Sequence, residues 1–269
     1  MIVHNFSPVL VDWGFFQIRW YSIAYIIGII IGWVYAVNII KLTAKNNHNF
    51  TSIKKSDFDD LIIYLVLGIV VGGRLGYVIF YNLDYYMHNF FEIFKIWKGG
   101  MSFHGGLLGV IISIIVFSIN TKNNFFKLAD IVSCVAPIGI FFGRTANFIN
   151  GELVGKISTF PIAVIFPSID SIPRHPSQIY EAVLEGVILF VLINFLALKK
   201  NFILTPGRVS GFFLIFYSIA RIIGEYFREP DLHLGYFFNY FSMGVMLSLI
   251  TFLAGCFIIF VIKNNEKNN

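Results

Sequence analysis

The sequence predicts an all-α polytopic membrane protein with about seven transmembrane helices, and three observations carry that reading. Of 269 residues, 57% are hydrophobic and only 13% are charged, where soluble domains carry nearer 25% charge. The apolar residues gather into runs of about 20, the length that crosses about 30 Å of hydrocarbon. The basic residues fall mainly in every second connection between those runs, which is a topology signal. A water-soluble core cannot absorb this apolar excess, so most of the solvent must be lipid.

The runs lie at 20–40, 60–81, 101–119, 128–148, 180–198, 209–227 and 236–262. Eleven of the twenty basic residues occupy one set of connections. These are Lys41, Lys45, Lys54 and Lys55, then Lys122 and Lys127, then Lys199, Lys200 and Arg208, and the tail lysines Lys263 and Lys267. The opposite set holds Arg19, Lys95, Lys98, Lys156, Arg174 and Arg228, mixed with acids in longer segments. The positive-inside rule then places the N-terminus outside and the C-terminus in the cytoplasm. Seven spans fit that parity; five or six fit it less well. The net charge of +5 is thus distributed as topology, which argues against nucleic acid as a partner.

The chain reads as a single integral membrane domain, 1–269. Its N-terminus lacks the basic region and cleavage site of a removable signal peptide. Cys134 and Cys256 sit inside apolar runs as packing residues, with no disulfide framework and no Cys/His zinc spacing. Glycines recur at helix-packing intervals: Gly28 and Gly32; Gly68, Gly72 and Gly76; Gly139 and Gly143; Gly207 and Gly211. The outer connections at 82–100 and 149–179 are the longest. The second holds Pro161, Pro167, Pro173 and Pro176, and is expected to form a small outer-face cap. The first, rich in Tyr85, Tyr86, Phe90, Phe91 and Trp97, suits an interfacial helix.

Three arginines, Arg74, Arg144 and Arg221, lie in or at the edge of apolar runs. Insertion of such a charge costs roughly 2.5–3.5 kcal/mol, which makes each a functional candidate. Helical rise places all three, with His104, in the outer half of the membrane, at the depth of lipid headgroups. Arg74, Tyr77 and Tyr81 share a helical face, as do Tyr217, Arg221, Glu225 and Arg228. Guanidinium groups meeting in a water-poor pocket suit a phosphate, which they bind bidentately. Spacing alone therefore indicates an anionic lipid site and no particular reaction.

Plainer roles stand beside these. Arg74 could pair with Asp130 or Glu181 to fix two helices, and His104 could sit at a helix start beside glycines. Asn147 and Asn150 could cap a helix end, while Trp20, Tyr21 and Tyr77 could belong to an aromatic belt. Glu185 reads as a helix-packing polar residue. His4, His48, His88 and His233 read as ordinary loop residues.

Five segments taken in order resemble bacterial prolipoprotein diacylglyceryl transferases. They are Gly72 to Gly76 around Arg74, Ser102 to Gly106 around His104, Gly143 to Gly155, His175 to Glu181, and Arg221 to Asp231. The resemblance spans nearly the whole chain. It implies transfer of the diacylglyceryl group of phosphatidylglycerol to the lipobox cysteine thiol of a prolipoprotein signal peptide, at the outer face of the bacterial cytoplasmic membrane. A thioether forms, glycerol phosphate leaves, and no metal or cofactor takes part. Carried over, Arg144 and Arg221 bind the phosphate and stabilise it as it leaves. His104 is the candidate base for the thiol, with Glu152 as the alternative. Asn147, Glu152 and Gly155 match signature positions, and Tyr21 matches a tyrosine that the family places at the start of its first span. Glu225 is expected to orient Arg221. Arg74, Tyr217 and Gln178 complete the expected substrate-binding set. One departure is Arg19, which precedes Trp20 and Tyr21 where the family pattern has histidine. The competing classes are a flippase of anionic lipids, which would place charges at both depths and show an internal repeat, and a lipid-binding scaffold without catalysis.

Overall fold

The computed structural model describes residues 2–14, 17–46, 53–96, 99–229 and 242–268. The chain divides into two compact units, residues 1–36 with 130–269, and residues 37–129. Among the described residues, six helices are long and apolar enough to cross a membrane: Trp20–Lys45, Lys55–Tyr81, Phe125–Asn150, Ser177–Lys199, Arg208–Phe227 and Met243–Lys267. A seventh apolar helix, Gly105–Thr121, is shorter. Each corresponds to one of the seven apolar runs, and the protein is an all-α polytopic membrane protein. Large apolar side chains such as Ile63, Leu67, Leu253 and Phe257 stand exposed on these helices. Hydrocarbon covers such a surface without the cost that water imposes.

The larger unit is built on the first part of α1 (Trp20–Asn46), on α5 (Phe125–Asn150), α8 (Arg208–Phe227) and α9 (Met243–Asn268), and on the span between α5 and α8. That span runs through α6 (Ser177–Glu181), a π-helical stretch (Ala182–Ile188), α7 (Leu189–Asn194) and a second π stretch (Phe195–Lys199). Such π turns often occur where a helix carries function. The helices approach closely at glycines. A Cβ on Gly28 would meet Gly139 Cα at 3.3 Å, and one on Gly255 would meet the Gly211 carbonyl at 2.8 Å. The α8 N-terminus is capped from α5: the Gly207 and Ser210 amides donate to the buried Asp130 carboxylate at 2.8 and 2.7 Å. Asp130 is therefore committed to a helix end, where the exposed backbone amides attract a carboxylate.

The cap contains more of the chain than its proline-rich connection. Strand β1 (Ile2–Val3) pairs parallel with β4 (Val164–Ile165), which pairs antiparallel with β5 (Pro173–Arg174). Val154, Val164, Phe166 and Phe148 form a small core beneath. A hairpin of β2 (Val9–Asp12) and β3 (Gln17–Arg19) leads into α1. His4 is no ordinary loop residue: it is buried and its Nε2 lies 2.7 Å from the Phe148 carbonyl. A two-residue strand has no periodicity of its own, so it leaves no local pattern to read.

In the smaller unit α2 (Lys55–Tyr81) packs along α4 (Phe103–Thr121) through a glycine seam. A Cβ on Gly68 would meet the Gly109 carbonyl at 2.5 Å, and one on Gly72 the Gly105 carbonyl at 2.4 Å. Contact this close needs hydrogen in place of a side chain on both helices. Between them the 82–100 connection folds into α3 (Leu83–His88) and a 3-10 turn at Phe90–Phe94, with Met87, Phe90, Phe91 and Phe94 exposed. The expected interfacial helix is thus two short helical pieces. His48, Trp97, Lys98, Pro230, Asp231 and His233, all used in the sequence reading, lie outside the described residues.

Candidate active site

Three arginines and three glutamates meet where α5, α6 with its π extension, and α8 face one another. Arg144 on α5 places Nη1 2.9 Å from Glu181 Oε2 and donates from Nη2 and Nε to Glu185 Oε2 at 2.9 and 3.2 Å. Arg221 on α8 donates from Nη1 to Glu181 Oε1 at 2.8 Å, and its Nη2 pairs with Glu225 Oε2 at 2.6 Å. Arg228 Nη1 lies 3.6 Å from Glu181 Oε1. Glu225 is held in turn by the Ser242 hydroxyl at 2.7 Å. Glu181 and Glu185 have no exposed surface, whereas the Arg144 and Arg221 side chains keep 13% and 12% of theirs.

Local structure explains the arrangement. Glu181 and Glu185 stand four residues apart and share a face of their helix, as Arg221 and Glu225 do on α8. Gly224 on α8 makes the crossing close, since a Cβ there would meet Glu181 Cγ at 3.1 Å. Tyr217, one turn before Arg221, is buried on α8 and stacked on Phe213. Three positive and three negative groups leave the cluster neutral, which is how ionised groups persist away from water. Arg144 donates two of its five N–H groups to carboxylates among the described residues, both to Glu185, and its Nη1 makes an ion pair with Glu181 without a hydrogen bond. Two guanidiniums are thus held side by side on one carboxylate, partly uncovered and not saturated.

The signature segment after Arg144 forms a second polar group at the C-terminal end of α5. Tyr21 and Asn147 are hydrogen bonded through hydroxyl and amide, 126 residues apart in sequence. With its nitrogen turned toward the acceptors, the Asn147 amide also donates to Glu152 Oε1 at 3.2 Å and to the Gly143 carbonyl at 3.3 Å. Asn150 donates to Glu152 Oε1 at 3.4 Å. The buried Gln178 donates from Nε2 to the Glu152 carbonyl at 2.6 Å, and its Oε1 has no hydrogen-bond donor among the described residues. Desolvation by surrounding protein holds the Glu152 carboxyl above the usual carboxylate range, against the lowering pull of the Asn150 amide and the Arg228 charge.

Gly155 is the point where three segments cross. Its amide donates to the His175 carbonyl at 3.0 Å, and a Cβ there would meet that oxygen at 2.4 Å and the Phe227 carbonyl at 2.7 Å. Arg174 braces the same crossing, donating to Asp170 at 2.6 Å and to the Gly155 carbonyl at 3.3 Å. That hydrogen bond holds the Asp170 carboxyl below the usual range. Burial pushes the His175 imidazole pKa down, and its Nδ1 faces the Tyr180 hydroxyl at 3.2 Å.

Arg74 belongs to the smaller unit and has a different environment. Neither Asp130, which caps α8, nor Glu181, which pairs with Arg144 and Arg221, is its partner. Its five N–H donors go to backbone carbonyls: Nε to Ile93 at 2.9 Å, Nη1 to Gly99 at 2.5 Å and Gly100 at 3.1 Å, Nη2 to Glu92 at 2.7 Å and Lys95 at 3.4 Å. Tyr86 covers its face at 5.1 Å. His104 stands in the first turn of α4, but its side chain lies outside the described ones.

A family model for prolipoprotein diacylglyceryl transferase matches residues 8–261. The chain belongs to the prolipoprotein diacylglyceryl transferase family. It is 46% identical over 259 residues to a protein of Rickettsia bellii named phosphatidylglycerol–prolipoprotein diacylglyceryl transferase, covering 96% of each chain. A Rickettsia typhi protein of the same name is 46% identical over 96% of this chain and 98% of its own. One from Rhodopseudomonas palustris is 46% identical over 93% of this chain and 87% of its own. Membership agrees with the five segments read from the sequence. The sequence alone reads Glu185 as a packing residue and assigns Glu181 no site role. The signal was available: two carboxylates four residues apart inside an apolar run are costly unless cations face them.

Proposed function

We propose that this chain is a phosphatidylglycerol–prolipoprotein diacylglyceryl transferase acting at the outer face of the bacterial cytoplasmic membrane. The lipobox thiolate attacks the glyceryl carbon that bears the phosphate ester. A carbon–sulfur bond forms, the carbon–oxygen bond breaks, and glycerol phosphate leaves with the bonding electrons. The thiol proton passes to a base.

The observation that carries the reading is the sharing of Glu181 by Arg144 and Arg221. It fixes two guanidiniums side by side with N–H donors to spare, the arrangement that suits a phosphodiester whose charge grows as it leaves. Glu185 and Glu225 orient the two arginines, and Tyr217 packs beside Arg221. Tyr21, Asn147, Glu152, Gly155 and Gln178 shape the neighbouring polar end of α5. His104 is the base by its motif, with Glu152 as the alternative. Phosphatidylglycerol and the prolipoprotein signal peptide both arrive from the membrane, and the distribution of basic residues between connections supports an N-terminus outside.

The test is transfer by the purified protein in detergent, given phosphatidylglycerol and a lipobox peptide with one cysteine. A diacylglyceryl mass gain on the peptide should match glycerol phosphate release. Arg144→Ala and Arg221→Ala should each cost on the order of 10²- to 10³-fold in kcat. Phosphatidylglycerol binding without transfer in the wild type would leave a scaffold instead.

A further inference from the structure

The two kinds of intramembrane arginine differ in what remains on them, and the difference assigns Arg74 a role of its own. Arg144 keeps donors uncommitted among the described residues. Arg74 has none left: five N–H groups meet five backbone carbonyls, all within residues 92–100. An arginine in that state cannot take a phosphate without releasing the segment it holds. That segment leads directly into α4. Gly99 and Gly100 both adopt left-handed φ, at +83° and +82°, to present their carbonyls to Nη1. Two residues later Ser102 donates its amide to the Gly73 carbonyl at 2.8 Å and caps α4 by accepting from the Gly105 amide at 3.3 Å. Gly73 and Arg74 together therefore fix where α4 begins, and His104 lies in its first turn.

We infer that Arg74 is a positioning residue that folds the 82–100 segment and sets the start of α4, and that it is not a ligand of the lipid phosphate. The inference corrects its expected place among the substrate-binding residues, and its kinetic part rests on the proposed transfer reaction. Lysine separates the two roles. It keeps the charge that a phosphate needs, but three donors on a point charge cannot replace a planar fork of five.

Arg74→Lys and Arg74→Gln would be compared in hydrogen exchange and in transfer kinetics. Both should lose amide protection across 83–96. Both should lose on the order of 10²-fold in kcat, the scale of a small misplacement. The KM for phosphatidylglycerol should stay within about twofold of wild type in each. Gly100→Ala keeps Arg74 but drives a Cβ toward the Tyr77 ring and Arg74 Nη1, at 2.5 and 3.0 Å. It should reproduce the same pattern, and it decides the matter if the Arg74 variants do not fold. The proposal is overturned if lysine restores wild-type transfer, if KM rises with exchange unchanged, or if Gly100→Ala is silent. Exchange reads the clamp even where no transfer occurs, so failure of the clamp and failure of the proposed reaction are distinguishable.

Discussion

Glu181 and Arg221 form the hinge of the arginine cluster: Nη1 donates to Oε1 at 2.8 Å, while the other oxygen of the same carboxylate faces Arg144 Nη1 at 2.9 Å. One buried anion thus spaces two cations that would otherwise repel. In the proposed reaction, that carboxylate would set the phosphate site without touching the phosphate.

Removing that carboxylate should hurt more than removing either neighbour. Glu181→Gln leaves Arg144, Arg221 and Arg228 facing one another with less charge between them. Breaking a buried ion pair of this kind costs about 3–5 kcal/mol. Thermal unfolding in detergent should show a larger loss for Glu181→Gln than for Glu225→Gln, whose arginine keeps Glu181. Equal losses would mean that the shared carboxylate has no special part.

Tyr21→Phe tests the C-terminal end of α5. It removes the hydroxyl that meets the Asn147 amide and leaves the ring in place. An unpaired polar group at such a site costs about 1–3 kcal/mol. If Tyr21 serves chiefly as a belt aromatic, the phenylalanine variant should transfer at the wild-type rate. We expect transfer to fall, with Asn147→Leu giving at least as large a loss because it also removes the contacts with Glu152 and Gly143, and the double variant little more than Asn147→Leu alone.

Glu152 gives a pH signature. Its carboxyl is held above the ordinary value of about 4.3 because desolvation favours the neutral form. A carboxyl raised on folding contributes stability that is complete below the ordinary value and is lost as pH rises through the folded one. The melting temperature of wild type minus that of Glu152→Gln should therefore be greatest in acid and decline toward neutral pH. A difference that is flat with pH would show a solvated carboxyl.

Gly155→Ala should be costly although the backbone there has no unusual φ. The new Cβ would fall 2.4 Å from the His175 carbonyl and 2.7 Å from that of Phe227. Both oxygens belong to backbone that is fixed by hydrogen bonds to the 155–156 segment, so neither yields easily. Overpacking of this kind costs about 1–3 kcal/mol. Circular dichroism melts would register it, and a silent substitution would mean that the crossing relaxes.

Much of the protein was legible in one dimension. Apolar runs, loop charge and glycine spacing determined a multi-helix membrane fold, because the bilayer imposes length and polarity on each span separately. The Arg221–Glu225 contact followed from i, i+4 spacing, and the signature segments carried the family. Tertiary structure decided which groups meet. Glu185 takes its meaning from Arg144, 41 residues away, and Tyr21 from Asn147, 126 residues away. The parallel pairing of Ile2 and Val3 with Val164 and Ile165 leaves no local pattern. Arg74 is the sharpest instance: its partners are backbone carbonyls, which every residue possesses, so no side-chain sequence could name them. Composition and periodicity are properties of a segment, whereas the site is made by contacts between segments, and those exist only once the helices have packed.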